Sequence, residues 1–251
     1  MKRIPWLTVT TASLPALLAG ASLGGFGVAD AAQYDRAALL RGEVWRLVTG
    51  HFVHWSLSHL VWDVLAFLIL GAICEGGGFI LGADAGSSVT PRLARTSAAA
   101  AMTRDPASSR RIEGAHRRWL FASVVVGTAL IVSIFLFVCC PEVAMYRGLS
   151  AIDSALWMWA VFIIGERRVS LALALLTLFV AKVMIESFGG ASLFVDGITV
   201  LPVVHLLGAL IGFCGSVAEH KILTDAALHR DGQRDRVRRR RDESAVVGGA
   251  V

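Results

Sequence analysis

The chain alternates long apolar runs with polar connections. Apolar runs cover residues 5–28, 57–73, 119–140, 148–165, 169–185 and 201–217. A helix needs about 20 residues to cross the hydrocarbon core of a bilayer, and runs of this kind are typical of membrane-spanning helices. The pattern therefore predicts an all-α polytopic membrane protein with six transmembrane helices. The short fourth and sixth helices fit this picture if the other helices enclose them.

The polar segments divide the chain further. Residues 30–56 mix aromatic and charged side chains, which is typical of a segment at the bilayer interface. Residues 76–118 are rich in Gly, Ser, Ala and Arg and are predicted to form a loop insertion without regular structure. Residues 219–251 are highly charged and basic, with four arginines in a row at 238–241, and are predicted to be a disordered tail. The membrane domain then spans residues 1–218.

The first apolar run has two interpretations. Lys2 and Arg3 precede it and small residues follow it, as in a secretory signal peptide with a cleavage site. The run is longer than the ~7–15 apolar residues of a typical signal peptide, which favours a retained first span.

Composition and charge support a membrane location. The chain is 55% hydrophobic and 17% charged, whereas soluble domains carry about 25% charged residues. The formal charge of +5 does not indicate nucleic-acid binding, because the basic residues concentrate in connections between apolar runs. In a six-span topology, most of these basic residues lie on one side of the membrane. They are found at the N-terminus, in residues 76–118, in residues 166–168 and in the tail. The positive-inside rule then predicts that both termini are cytoplasmic.

Three polar residues fall near the start of spans that run in the same direction. His59 lies near the start of the second span, Ser150 of the fourth and His205 of the sixth, so all three should lie at one depth near the outer face. Asp63 lies one turn below His59. An ionisable residue in a span costs about 2.5–3.5 kcal/mol on insertion scales, so it usually faces the protein interior and has a partner.

Small residues indicate how these spans pack. Gly208 and Gly212 lie one and two turns below His205, and Ala151 and Ala155 form a similar pair beside Ser150. Such faces let helices approach closely, which would place the imidazole beside the hydroxyl.

The resulting pair suits nucleophilic catalysis, because a histidine can take the proton of a serine near neutral pH. An oxyanion formed by attack on a carbonyl needs donors already in place. His59 and the backbone N–H of Ser150 can donate, and Asp63 can donate only if it is protonated.

These residues resemble the rhomboid intramembrane serine proteases over about residues 41–217. The motifs that carry the resemblance are Gly42-Glu43-Val44-Trp45-Arg46-Leu47 with His51-Phe52, His59-Leu60-Val61-Trp62-Asp63, Gly148-Leu149-Ser150-Ala151, and His205 with Gly208 and Gly212. By resemblance, Ser150 is the nucleophile, His205 is the general base of a dyad without an acid, and His59 helps to bind the oxyanion. Asp63 stands where the family has Asn, and Ala151 stands where it has Gly.

The resemblance also implies a function. The sequence Tyr146-Arg147-Gly148-Leu149-Ser150 most resembles the rhombosortase branch of the family. Bacterial members of this branch are thought to process C-terminal Gly-Gly-type membrane anchors. We therefore expect an endopeptidase that cleaves the membrane anchor of another protein near the outer face of a bacterial inner membrane. No cofactor, metal or nucleic-acid partner is expected.

Two alternatives remain open. The departures at Asp63 and Ala151 are compatible with an inactive rhomboid-like membrane binding protein. A membrane metal hydrolase is the other, with ligands drawn from His51, His54, His59, Asp63 and His205. His51 and His54 fall in the interfacial segment, where solvated histidines are expected.

Overall fold

A computed structural model describes residues 5–23, 27–76, 106–189, 201–222 and 224. In chain order the elements are α1 (Trp6–Leu23), α2 (Val28–Ala32), β1 (Tyr34–Asp35), α3 (Arg36–Leu40), α4 (Arg46–Thr49), a 3₁₀ turn (Gly50–Phe52), α5 (Leu57–Gly76), α6 (Pro106–Cys139), β2 (Met145–Tyr146), α7 (Ser150–Gly165), α8 (Val169–Gly189) and α9 (Pro202–Ile222).

The described residues form an all-α membrane protein. Helices α5, α6, α8 and α9 are each long and apolar enough to cross a bilayer, and α7 is a shorter apolar helix of the 10–17-residue class. Helix α1 covers most of the first apolar run, and its interior contains Pro15. Every predicted apolar run therefore contains a helix. That all six cross the membrane remains a prediction.

Two predicted boundaries are wrong. Helix α6 begins at Pro106, so residues 106–118 are helical and do not belong to a loop. Helix α9 continues to Ile222 and contains Glu219, so the predicted boundary at residue 218 falls inside a helix. Both helix ends were missed because their residues are polar and charged and lack the apolar pattern of a membrane helix. Residues 77–105 of the predicted loop and most of the predicted tail lie outside the described residues.

Helix α1 is fastened to α5 by a carboxylate. The first N–H groups of a helix have no partner within the helix. Glu75 accepts hydrogen bonds from the N–H of Leu7 at 3.3 Å and from the N–H and hydroxyl of Thr8 at 2.9 and 3.0 Å. A Cβ on Gly71 would lie 2.7 Å from Cγ2 of Thr8, so the two helices are also in close contact there.

Helix α7 lies at the centre of the bundle. Its Trp159 is fully buried, and the indole N–H donates to Glu219 of α9 at 2.6 Å. The other oxygen of Glu219 lies 2.7 Å from the guanidinium of Arg117 in α6. This chain of contacts joins three helices at one end. It also explains how the carboxylate of Glu219 can be buried.

The predicted close approach of α7 and α9 is confirmed. A Cβ on Gly208 would overlap the carbonyl oxygen of Ala151, and a Cβ on Gly212 would overlap that of Ala155. The backbones of the two helices therefore touch at two successive turns. Because Ser150 is next to Ala151 and His205 lies one turn before Gly208, this contact brings both residues to the same level.

A short β-ladder fixes the interfacial segment to the connection before α7. Strand β1 pairs antiparallel with β2 in the register Tyr34↔Tyr146 and Asp35↔Met145. The all-α prediction did not include this ladder, because each strand is only two residues long. Its consequence is that the residues before Ser150 are attached to the interfacial segment through their backbone.

Candidate functional site

The four residues predicted to carry chemistry line one cavity. Ser150, His205, His59 and Asp63 all border a cavity of about 840 Å³. Helix α5 lines one side and α8 another, while α7 and α9 supply Ser150 and His205. His59, Ser150 and His205, which the sequence analysis predicted to lie together, thus line the same cavity. Their common depth in the membrane remains a prediction.

The connection ahead of Ser150 is held in a conformation that suits glycine. Gly148 has φ +125°, a value that L side chains rarely adopt. Its N–H donates to the carbonyl of Gly50 at 3.3 Å, and its carbonyl accepts from the Tyr146 hydroxyl at 3.2 Å. A Cβ on Gly148 would lie 2.8 Å from Cε1 of His59. Glycine therefore lets the His59 ring lie directly against the backbone that leads to Ser150.

Ser150 is the first residue of α7, so its backbone N–H lies at the open N-terminal end of that helix. Burial raises the pKa of the Tyr146 phenol, and its interaction with the nearby Ser150 hydroxyl partly opposes that rise. The phenol therefore stays neutral beside the serine. Within the described residues no hydrogen bond joins the Ser150 hydroxyl to the His205 ring.

Arg147 links the connection before Ser150 to the interfacial segment. Its guanidinium donates to Oε1 of Gln33 at 2.8 Å and to Oδ1 of Asp30 at 2.6 Å, and it lies 4.4 Å from the ring centre of Trp55. The interfacial segment thus holds the residues before Ser150 through side chains as well as through the β-ladder.

Asp63 acts as an acceptor in the structure. Its Oδ2 accepts a hydrogen bond from the N–H of Leu149 at 2.9 Å and from Nε2 of His54 at 3.2 Å. Nε2 of His59 lies 3.2 Å from the same oxygen. Several donors facing one oxygen are the surroundings of a carboxylate. This geometry fits an anchor for the connection and for two rings, in contrast to the donor role suggested by resemblance.

We expect Asp63→Asn to separate these two roles. An anchor loses charge-assisted hydrogen bonds worth about 1.5–3 kcal/mol each when the carboxylate becomes an amide, so thermal stability should drop and any reaction of Ser150 with a serine-directed probe should slow at least about tenfold. An oxyanion donor would work as well or better as an amide. The measurement is the rate of serine-directed probe labelling together with the unfolding temperature. Unchanged labelling with unchanged stability would contradict the anchor role.

Glu186 is a site residue that sequence analysis missed. It is 2% exposed, and its Oε2 lies 2.6 Å from Nζ of Lys182 and 3.2 Å from Nδ1 of His205. The sequence contained a signal, because Lys182 near the end of the fifth apolar run and Glu186 just after it lie one turn apart, and such residues are costly in a membrane helix. Both residues lie near the end of the fifth run, where charged residues are easily read as flanking positions.

The expectation that His51 and His54 are solvated is wrong. His51 has 0% exposure, and its Nε2 lies 3.1 Å from both the carbonyl of Ala129 and the hydroxyl of Ser133 in α6. The side chain of His54 is 3% exposed and faces Asp63. Both rings lie inside the contact between the interfacial segment and the bundle. Sequence patterning places a histidine near the interface but does not reveal which way its ring points.

Burial lowers the pKa of His51 from 6.5 to about 4. Because the folded pKa lies below the unfolded value, the unfolded chain binds an extra proton between pH 6.5 and about 4. Stability is therefore complete above pH 6.5 and falls as the pH drops through this window. At about 1.4 kcal/mol per pH unit, the loss approaches about 3 kcal/mol at its acid end.

We expect His51→Gln, which keeps a donor but does not titrate, to unfold with a weaker pH dependence than the native chain. The measurement is the free energy or temperature of unfolding in detergent between pH 7 and pH 4.5. Parallel curves for the two proteins would show that His51 is protonated equally in the folded and unfolded states.

The metal-hydrolase alternative gains no support from geometry. Within the described ranges, no three His, Cys, Asp or Glu side chains are placed to hold a metal ion. One nitrogen of each of three rings faces a protein group: Nε2 of His51 faces the carbonyl of Ala129, Nε2 of His54 faces Asp63 and Nδ1 of His205 faces Glu186.

Comparison with models of known protein families gives no match for this chain. Comparison with curated proteins also gives no significant match.

Proposed function

We propose that this protein is an intramembrane serine endopeptidase of the rhomboid type, in which Ser150 is the nucleophile and His205 is the general base. The observation that carries the proposal is the meeting of Ser150, His205 and His59 on one cavity, with α7 and α9 in backbone contact beside them. The resemblance of the same residues to the rhomboid motifs supports it independently.

The chemistry proceeds in two balanced steps. The Ser150 Oγ attacks the carbonyl carbon of a peptide bond while its proton passes to Nε2 of His205, and the C–N bond then breaks as that proton moves to the leaving nitrogen. A water molecule, deprotonated by the same ring, attacks the acyl-enzyme and restores the hydroxyl. The oxyanion is stabilised by the N–H of Ser150 at the start of α7 and by the ring of His59.

The cavity also supports the choice of substrate. Apolar side chains of α5 and α8, including Ile69, Leu178 and Phe179, line it beside the polar site residues. An extended stretch of a membrane anchor can be accommodated by such a mixed surface, because its apolar side chains and its scissile peptide need different surroundings. We therefore propose the transmembrane or C-terminal anchor of another protein as substrate, as in the rhombosortase branch.

The topology follows from the same proposal. Six spans with both termini in the cytoplasm place Ser150 and His205 near the outer face of a bacterial inner membrane. The four helices that are long and apolar enough to cross a bilayer fit this arrangement. An inactive rhomboid-like binding protein is the second candidate, favoured by Asp63 in the position where the family has Asn.

Labelling with a fluorescent fluorophosphonate tests the proposal. Membranes that contain the native chain should show a labelled band, and the Ser150→Ala variant should not. Ser170→Ala is the matched control, because Ser170 is exposed near the start of α8. A folded native chain that stays unlabelled would favour the binding protein, and equal labelling of Ser150→Ala would exclude Ser150 as the nucleophile.

A further inference from the structure

A buried charged pair lies directly behind the proposed base. Lys182 and Glu186 lie one turn apart on α8, and both line the cavity that contains Ser150 and His205. The Glu186 side chain is 1% exposed, whereas that of Lys182 is 24% exposed. Placing two ionisable groups in an apolar helix costs free energy, and pairing them reduces that cost without removing it. A pair that served only stability could be replaced by apolar residues.

The Glu186 carboxylate of this pair faces Nδ1 of the His205 ring. Oε2 of Glu186 lies 3.2 Å from Nδ1 of His205. Nδ1 is buried and has no other hydrogen-bond partner among the described residues. Lys182 donates to the same Oε2 at 2.6 Å, which holds the carboxylate in place.

The tautomer of His205 decides whether it can act as a base. A neutral imidazole carries one proton, and a carboxylate beside Nδ1 favours the form in which that nitrogen is the donor. Nε2 is then unprotonated and can accept the proton of Ser150. The opposite tautomer carries its proton on the nitrogen that must receive one, so the ring cannot act as a base.

We propose that Glu186, held by Lys182, is a positioning residue that fixes the His205 ring with its proton on Nδ1 and stabilises the imidazolium formed when Ser150 attacks. The inference rests on the proposed function and changes it from a two-residue to a three-residue arrangement. Glu186 touches no reacting atom and acts through His205.

The first test reads the tautomer without relying on activity. The chain is labelled with ¹⁵N-histidine and reconstituted in phosphatidylcholine vesicles, and the His205 signals are assigned by their loss in His205→Gln. We expect the native ring to be protonated on Nδ1 and free on Nε2 when neutral, and Glu186→Gln to lose that preference. Glu166→Gln should match the native spectrum, because Glu166 is exposed beyond the end of α7. A native ring protonated on Nε2 would overturn the proposal.

The second test measures fluorophosphonate labelling at several probe concentrations. In Glu186→Gln the maximal labelling rate should fall about 10²-fold, within the range that general base catalysis contributes, while the half-saturating concentration stays unchanged. The double variant Lys182→Met/Glu186→Gln leaves no unpaired cation and should show the same fall, which separates loss of orientation from misfolding. An unchanged maximal rate in both variants would overturn the proposal.

The two tests distinguish this inference from the proposed function. If the native chain is not labelled but its tautomer depends on Glu186, the protease proposal fails and the orientation of His205 by Glu186 stands. If the native chain is labelled and its tautomer does not depend on Glu186, the protease proposal stands and the positioning role fails.

Discussion

Replacing Ser150 or His205 with alanine is expected to abolish cleavage of a membrane anchor, with a fall in rate of at least about 10⁴-fold. In the proposed mechanism, Ser150 supplies the atom that forms the covalent bond, and His205, one turn before the α7–α9 contact, is the base. Because residues of one catalytic unit act together, the double variant should be no worse than either single variant. The measurement is the cleavage of single-span reporter proteins, tagged at both ends and chosen from a panel for cutting by the native chain.

The controls for this result are serine and histidine residues that lie elsewhere on the same helices or their neighbours. Ser170→Ala and His220→Ala remove exposed side chains and should leave cleavage within about twofold of the native rate, since exposed substitutions rarely change stability by more than about 0.5 kcal/mol. Comparable amounts of folded protein must be shown for every variant. Cleavage that persists in Ser150→Ala would exclude the proposed nucleophile.

The convergence of the site could be predicted because it depends on features that repeat along the sequence. Apolar runs set the number of helices, and the positions of His59, Ser150 and His205 near the starts of their runs set a common depth. The small residues at Gly208 and Gly212 predicted which helix faces meet. Each of these inferences needs only helix geometry. The helices within the apolar runs and the close approach at Gly208 and Gly212 agree with the structure, whereas six membrane crossings and a common depth remain predictions.

The supporting residues could not be predicted in the same way. Glu186 meets His205 only because α8 is rotated to face the cavity, and rotation is set by packing against α7 and not by local sequence. His51 is buried for a similar reason, since its ring enters a space between the interfacial segment and α6. The role of Asp63 depended on which donors surround it, and Leu149 and His54 become its partners only after the chain folds.

The contact between α7 and α9 should also be the most sensitive point of the fold. Gly212→Val is expected to lower the free energy of unfolding by roughly 3 kcal/mol or more, because the new side chain meets the backbone carbonyl of Ala155, which cannot move aside as a flexible side chain can. The helices must separate, and separation also moves Ser150 away from His205. Labelling of Ser150 should therefore be lost at temperatures at which the protein is still partly folded.

Gly127→Val is the matched control, since a Cβ on Gly127 in α6 has open space around it. The measurement is thermal unfolding in detergent together with fluorophosphonate labelling across the same temperatures. Equal unfolding temperatures for the two variants would mean that α7 and α9 can accommodate a larger spacing. The close contact would then not be what holds the hydroxyl and the imidazole together, and the common depth of the two residues alone would have to account for the site.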